Sequence, residues 1–282
     1  MSKIRQAEKA NASVYPKRYH VAVKVAIILV SLCLPALADL AAGQRAFQSG
    51  DYATALGEFF PIAREGNADA QLKLGFMYDQ GLGVPQDYKE AVQWYRLAAA
   101  QGNTFAQFNL GGSYREGQGV PQDYKEAMRW YRLAAEQGNA DAQSNLGVMY
   151  VRGEGVPQDR KEAVYWYRLA AEQGSAAAQN NLGFAYYEGR GAPQDYKEAV
   201  RWYRLAAEQG NAGAQNNLGV MYDQGKGVPQ DYIQAHMWFN LAGANGNDSG
   251  VKNRDIVASK MTPSQIAEAQ SLAREWKPRP SR

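Results

Sequence analysis

The chain has 282 residues, with 31 Lys and Arg against 28 Asp and Glu, 45% hydrophobic residues and one cysteine. The length supports a large core, while a single cysteine excludes a disulfide framework and any multi-thiolate metal site. A formal charge of only +3 excludes the basic footprint of a nucleic-acid binder.

Residues 1–38 read as an export leader. Lys3, Arg5, Lys9, Lys17, Arg18 and Lys24 precede an apolar run from Val25 to Leu34, and Ala36-Leu37-Ala38 follows. A basic start, an apolar stretch and an A-x-A site are the three parts of a secretory signal peptide. The apolar run is shorter than the roughly 20 residues a membrane helix needs. Cleavage after Ala38 removes six basic residues, Glu8 and Cys33, and leaves 25 basic and 27 acidic residues. The expected mature chain has no membrane span and no thiol, and its expected location is the periplasm. A chain that keeps residues 25–38 would instead be a membrane-anchored regulator of envelope signalling.

From residue 39 the chain is periodic. Asp-Tyr-Lys-Glu-Ala stands at Asp87, Asp123 and Asp195, with variants at Asp159 and Asp231, each 36 residues from the next slot. A period of this length is the mark of a helical repeat array. Residues 39–66 form a degenerate N-terminal capping repeat: Asp51-Tyr52 keeps the phase but no Gly-x-Gly-Val-Pro loop precedes it. Residues 67–245 hold five full units. In the unit from Asn139 to Gly174, Asn139 caps helix A, and Ala142, Leu146, Met149 and Tyr150 form its apolar stripe. Gly153 ends helix A in the left-handed conformation, and Val156-Pro157 is extended. Asp159 caps helix B, and Glu162 three residues on predicts a capping box. Ala163, Val164, Trp166, Tyr167, Ala170 and Ala171 give helix B its packing face. Residues 246–276 are a C-terminal capping segment, with Thr262-Pro263-Ser264-Gln265 starting a helix that lies over the last repeat. Residues 277–282 read as a flexible tail.

No catalytic residue, metal site or cofactor is expected. Beyond the leader the only histidine is His236, at a helix position held by Val92, Met128, Val164 and Val200 in the other units, so it reads as a packed end-repeat residue. The Gly-x-Gly stretches follow helices and precede proline, which makes them turns rather than phosphate loops. The Trp-Tyr pairs such as Trp166-Tyr167 recur at one helix phase and read as inter-helix packing. Arg132 with Glu136, Arg168 with Glu172 and Arg204 with Glu208 have the i, i+4 spacing of surface ion pairs.

The pattern Ala142-Gln143-x-x-Leu146-Gly147-x-x-Tyr150-x-x-Gly153-x-Gly155-Val156-x-x-Asp159-x-x-x-Ala163-x-x-Trp166-x-x-x-Ala170-Ala171-x-x-Gly174 resembles the Sel1-like repeat, a relative of the tetratricopeptide repeat. The resemblance implies an all-α fold, an α/α superhelical solenoid, acting as a non-enzymatic adaptor for other proteins, with secreted bacterial members at the cell envelope. A cysteine-rich branch has been associated with penicillin binding, which suggests a peptidoglycan- or β-lactam-binding protein with weak hydrolase activity as a second reading. The cysteines of that branch are missing here. In solenoids of this kind helix A lines a concave groove. Beside the core face of helix A runs a stripe of Asp141, Asn145, Val148 and Arg152. Its counterparts include Phe76, Asn109, Asn181, Phe184, Asn217 and Val220. Side-chain amides can both donate to and accept from a peptide unit. The expected site is therefore Phe76, Asn109, Asn145, Val148, Arg152, Asn181, Phe184, Asn217 and Val220, and the expected ligand is a peptide or protein segment in the envelope.

Overall fold

The computed structural model describes residues 39–279. The leader expected at residues 1–38 lies outside the described residues, as do the last three. The described residues form fourteen helices and no strand. They divide into two compact units, one ending at Asn103 and one starting at Thr104.

The first unit contains two hairpins, α1 (Leu40–Gln48) with α2 (Tyr52–Arg64), and α3 (Ala68–Gln80) with α4 (Tyr88–Ala100). The second contains four more: α5 (Thr104–Glu116) with α6 (Tyr124–Glu136), α7 (Ala140–Arg152) with α8 (Arg160–Glu172), α9 (Ala176–Glu188) with α10 (Tyr196–Glu208), and α11 (Ala212–Gln224) with α12 (Tyr232–Ala244). It ends with α13 (Asp248–Ala258) and α14 (Pro263–Glu275). Within each unit, the second helix of one hairpin packs against the first helix of the next. This is solenoid packing, a row of neighbour interfaces rather than one central core.

The helix boundaries come from the capping residues expected of the sequence. Asn139 Oδ1 accepts from the Ala142 N–H at 2.8 Å, and Gly153 closes α7 at φ 72°. Asp159 Oδ1 accepts from the N–H groups of Lys161 and Glu162 at 2.9 and 3.1 Å. Asp87, Asp123 and Asp195 do the same at the starts of α4, α6 and α10. Among the described residues the capping box is seen at one place. Thr262 and Gln265 make both of its bonds at α14. At Asp87, Asp123, Asp159, Asp195 and Asp231 the backbone N–H instead donates to the carbonyl of Tyr78, Tyr114, Tyr150, Tyr186 and Tyr222. That bond ties the start of each second helix to the end of the first, so the glutamate three residues on has no donor left to cap. Glu126 and Glu198 pair with Arg129 and Arg201 at 3.1 and 3.0 Å instead.

Two close approaches fix the hairpin. Gly183 lies under the Tyr203 ring, and a Cβ there would fall 2.7 Å from Tyr203 Cδ1. Gly75, Gly111, Gly147 and Gly219 take the same place under Tyr95, Tyr131, Tyr167 and Phe239. The loop glycine Gly155, at φ 78°, lies against the Tyr124 carbonyl of the preceding second helix, where a Cβ would come within 2.5 Å of the oxygen. The side chains predicted for the packing face of α8 are all buried.

The segment after α12 departs from expectation in two ways. It contains an additional helix, α13, ahead of the predicted α14. Part of the expected tail is also tied down: the Arg279 N–H donates to the Glu208 carbonyl at 2.8 Å, and its guanidinium lies 3.3 Å from the Glu208 carboxylate. Helix α14 packs on α12, with the Trp276 and Trp238 rings edge to face at 6.2 Å.

Candidate functional site

The stripe expected to bind a ligand lies on the first helix of each hairpin. In the first unit its apolar member Phe76 is 38% exposed, with the Phe47 ring edge-on at 6.0 Å. In the second unit Phe184 is 46% exposed, and Val148 and Val220 are half-buried on α7 and α11. Phe105, a member of the same stripe at the phase of Asp141, is 63% exposed but is not among the residues expected to bind. Arg152 is exposed and makes an ion pair with Glu154 at 3.4 Å. Glu154 also faces Arg115 at 3.4 Å, so one loop carboxylate holds guanidinium groups from two successive first helices.

The four asparagines are not equivalent. All are half-buried. Asn217 Nδ2 donates to Asn180 Oδ1 at 3.0 Å, bridging α11 to α9. Asn253, one period further on, repeats the bridge to Asn216 at 2.9 Å. Asn145 and Arg115 hydrogen-bond the Tyr131 hydroxyl, and they oppose the rise in its pKa that burial causes. Asn145 and Asn217 therefore serve the scaffold. Asn109 and Asn181 are the stripe asparagines whose side chains make no such bridge. The sequence marks the phase of the asparagines but not the bond, because the acceptor lies 37 residues back in the chain.

The predicted ion pairs on the second helices are replaced by a different contact. Arg132, Arg168 and Arg204 donate from Nη2 to the hydroxyls of Tyr150, Tyr186 and Tyr222 at 2.6, 2.7 and 2.8 Å. Each arginine thereby reaches the first helix of the next hairpin instead of Glu136, Glu172 or Glu208 four residues on. A solvated i, i+4 pair contributes only tenths of a kcal/mol, too little to hold the side chain back.

Sequence reading also missed a buried amide chain. Gln143 is buried, and its Nε2 donates to the Ala135 carbonyl at 3.0 Å while its Oε1 accepts from Gln173 Nε2 at 2.7 Å. Gln71 makes the same pair of bonds in the first unit, and Gln179 and Gln215 make them in the second. The available signal was a glutamine at one fixed phase of an otherwise apolar helix face.

Titration in these units follows burial. Tyr167 is pushed up to about 12, chiefly by burial, with Arg152 pulling the other way. His236 is held below its ordinary value, first by burial and then by Arg254, with Asp255 opposing. Among the described residues, no set of three His, Cys, Asp or Glu side chains is placed to hold a metal ion. No helix among them is long and apolar enough to cross a membrane.

Five Sel1 repeats match the chain, at residues 68–103, 104–139, 140–175, 176–211 and 212–247. The chain is similar to the crystal structure of c5321, a protective antigen of uropathogenic Escherichia coli strains with an SLR fold. That likeness has 39% identity and a TM-score of 0.80, covering 84% of this chain and 52% of that one. The chain thus spans about half the length of that relative. It is also similar to a Sel1 repeat protein from Oxalobacter formigenes, with 34% identity and a TM-score of 0.74, covering 85% of this chain and 100% of that one. No curated protein matches the chain. Repeats matched across residues 68–247, and relatives that share both sequence and helix packing, establish that the chain belongs to the Sel1 repeat family.

Proposed function

We propose that this protein is a scaffold of the bacterial envelope that holds a peptide or protein segment along the exposed stripe of its first helices. Sel1 repeats serve in general as protein-interaction scaffolds and are typically non-catalytic. The observation that carries the finer reading is the exposure of aromatic side chains on that face, Phe105 at 63% and Phe184 at 46%. Leaving about half of such a ring in water forgoes part of the roughly 1.5–3 kcal/mol that full burial would contribute, and aromatic side chains are enriched at the anchors of protein interfaces. Asn181, half-buried and three positions from Phe184, offers an amide beside that exposed ring. The envelope location rests on the leader pattern at residues 1–38.

The test is site-specific photocrosslinking in cells from position 184, compared with position 165 on a second helix, where Tyr165 is comparably exposed. Capture of one defined partner from position 184 and not from 165, lost with Asn181→Ala, supports the reading. Equal capture from both positions sinks it. The envelope location is tested by N-terminal sequencing of the purified protein, which should begin at Asp39.

A further inference from the structure

The end of the second unit is an interrupted repeat. Helix α13 keeps the phase of a first helix: its cap Asn247 stands 36 residues after Asn211, and Asn253, Ile256 and Val257 stand 36 after Asn217, Val220 and Met221. Helix α14 does not keep phase. It begins at Pro263, ahead of position 268, where the period from Tyr232 would put it. The lost residues are the Gly-x-Gly loop, since Met261, Thr262 and Pro263 stand where Gly225, Lys226 and Gly227 stand one unit earlier. In a complete unit that loop covers the preceding second helix: a Cβ on Gly191 would meet Val164 Cγ2 at 3.0 Å. His236 occupies the position of Val164 two units on, and no glycine loop covers it.

A pocket of about 510 Å³ stands in place of that loop, between α12, α13 and α14. Its lining is polar where the repeat core is apolar. Arg254 and Asp255 stand one period after the buried Leu218 and Gly219. Asp255 Oδ1 accepts from Arg254 Nε and Nη2 at 2.9 and 2.7 Å, and Asn240 Oδ1 accepts from Arg254 Nη1 at 3.5 Å. Asn240 therefore turns its acceptor to the arginine and keeps its amide donor. Gln270 and Arg274 line the pocket from α14, with Ile266 as an apolar wall. His236 is 2% exposed, and its Nδ1 has no partner among the described protein groups. A buried polar atom of this kind costs about 1–3 kcal/mol unless something bonds it.

We infer that this pocket binds a small ligand through a carboxylate, with Arg274 and the Asn240 and Gln270 amides as donors. Two guanidinium groups stand against one carboxylate, so the lining carries a single excess positive charge beside a neutral imidazole. Asp255 already neutralises Arg254, which leaves Arg274 as the free guanidinium for one planar, singly charged acceptor. A doubly charged phosphate would meet Asp255 with no second free cation. The volume is within the range of small-molecule sites.

The chain has two histidines, His20 and His236, so imidazole proton NMR of the full-length protein reads the pocket directly, with a His20→Gln variant giving the assignment. Propionate and inorganic phosphate are titrated at matched ionic strength. An acetylated dialanine with a free C-terminus, and the same peptide amidated, separate a free small carboxylate from a chain terminus. The expected result is a saturable shift of the His236 resonance with propionate or the free-acid peptide and a smaller one with phosphate. Arg274→Gln should weaken the response about tenfold or more without changing the melting temperature. Whichever of propionate and the free-acid peptide binds more tightly names the source of the carboxylate. No saturable shift, an equal response to phosphate or to the amidated peptide, or an unchanged response in Arg274→Gln would each overturn the assignment.

Discussion

At the scale of single residues, the hairpins depend on groups that a sequence reading treats as filler. Gly183 sits in the middle of α9, where alanine would raise helix propensity by about 1 kcal/mol. Space decides the other way, because the new methyl would lie 2.7 Å from the Tyr203 ring and 3.2 Å from the Ala199 carbonyl. Overpacking typically costs about 1–3 kcal/mol, so Gly183→Ala should destabilise, by a margin that urea titration resolves. Adding Tyr203→Leu should recover part of the loss of Gly183→Ala. Stability equal to wild type in Gly183→Ala would show that the contact is not constraining. Gln143 makes the opposite case, a polar residue that is in fact core. Gln143→Leu keeps volume but removes the side-chain bond to the Ala135 carbonyl, which retains the Gly138 N–H at 3.0 Å, while the exposed Gln173 can turn to water. A loss of about 0.5–1.5 kcal/mol is expected, the net contribution of one hydrogen bond. It should exceed that of Asn181→Leu, whose side chain bridges nothing within the array. Both residues are visible in the sequence as phase-locked, yet their partners lie on other helices, so pattern alone could not separate structural from available amides.

At the scale of elements, almost every boundary was legible, because caps are local chemistry. Asp, Asn, Ser and Gly fall at fixed offsets, and the structure uses them where they stand. What pattern could not supply was the second half of the capping box. The Asp195 N–H is bonded to the Tyr186 carbonyl, nine residues back across the loop, and so is unavailable to Glu198. Asp195→Ala should therefore cost about 0.5–2 kcal/mol. Glu198→Ala should cost only the few tenths of a kcal/mol of an exposed pair with Arg201. Equal losses for the two variants, read from chemical denaturation, would restore the reciprocal box. Helix α13 escaped prediction for a related reason. It buries only Gly250 and Val257, and Arg254 and Asp255 occupy its core phase, so no apolar stripe announces it. Its phase relative to α11 was readable, but only once the short loop after it was known.

At the scale of the whole chain, the period gave the architecture and hid the places where the units differ in use. His236 is the clearest of these. The sequence identified it as buried and out of pattern, and it is both, but the pocket above it exists because a loop is missing elsewhere. Its titration tests that environment. The charged groups around it are Arg254 and Asp255 on α13 and Arg274 on α14. The folded chain holds the imidazole below its ordinary value of about 6.5, mainly by burial. Between the folded and unfolded values the unfolded chain binds more protons, so stability rises with pH across that window. The contribution is complete above about pH 6.5 and is lost as the pH falls towards the folded value. Repeat arrays need not unfold in one step. The readout should therefore be local, and the Trp238–Trp276 pair beside α12 and α14 supplies it by fluorescence. The transition of the wild type should move to lower temperature between about pH 7.5 and pH 5.5, above the carboxylate range. His236→Val, the residue of the equivalent positions Val164 and Val200, should remove that part of the shift. If wild type and variant move in parallel, the imidazole does not feel the burial the structure gives it.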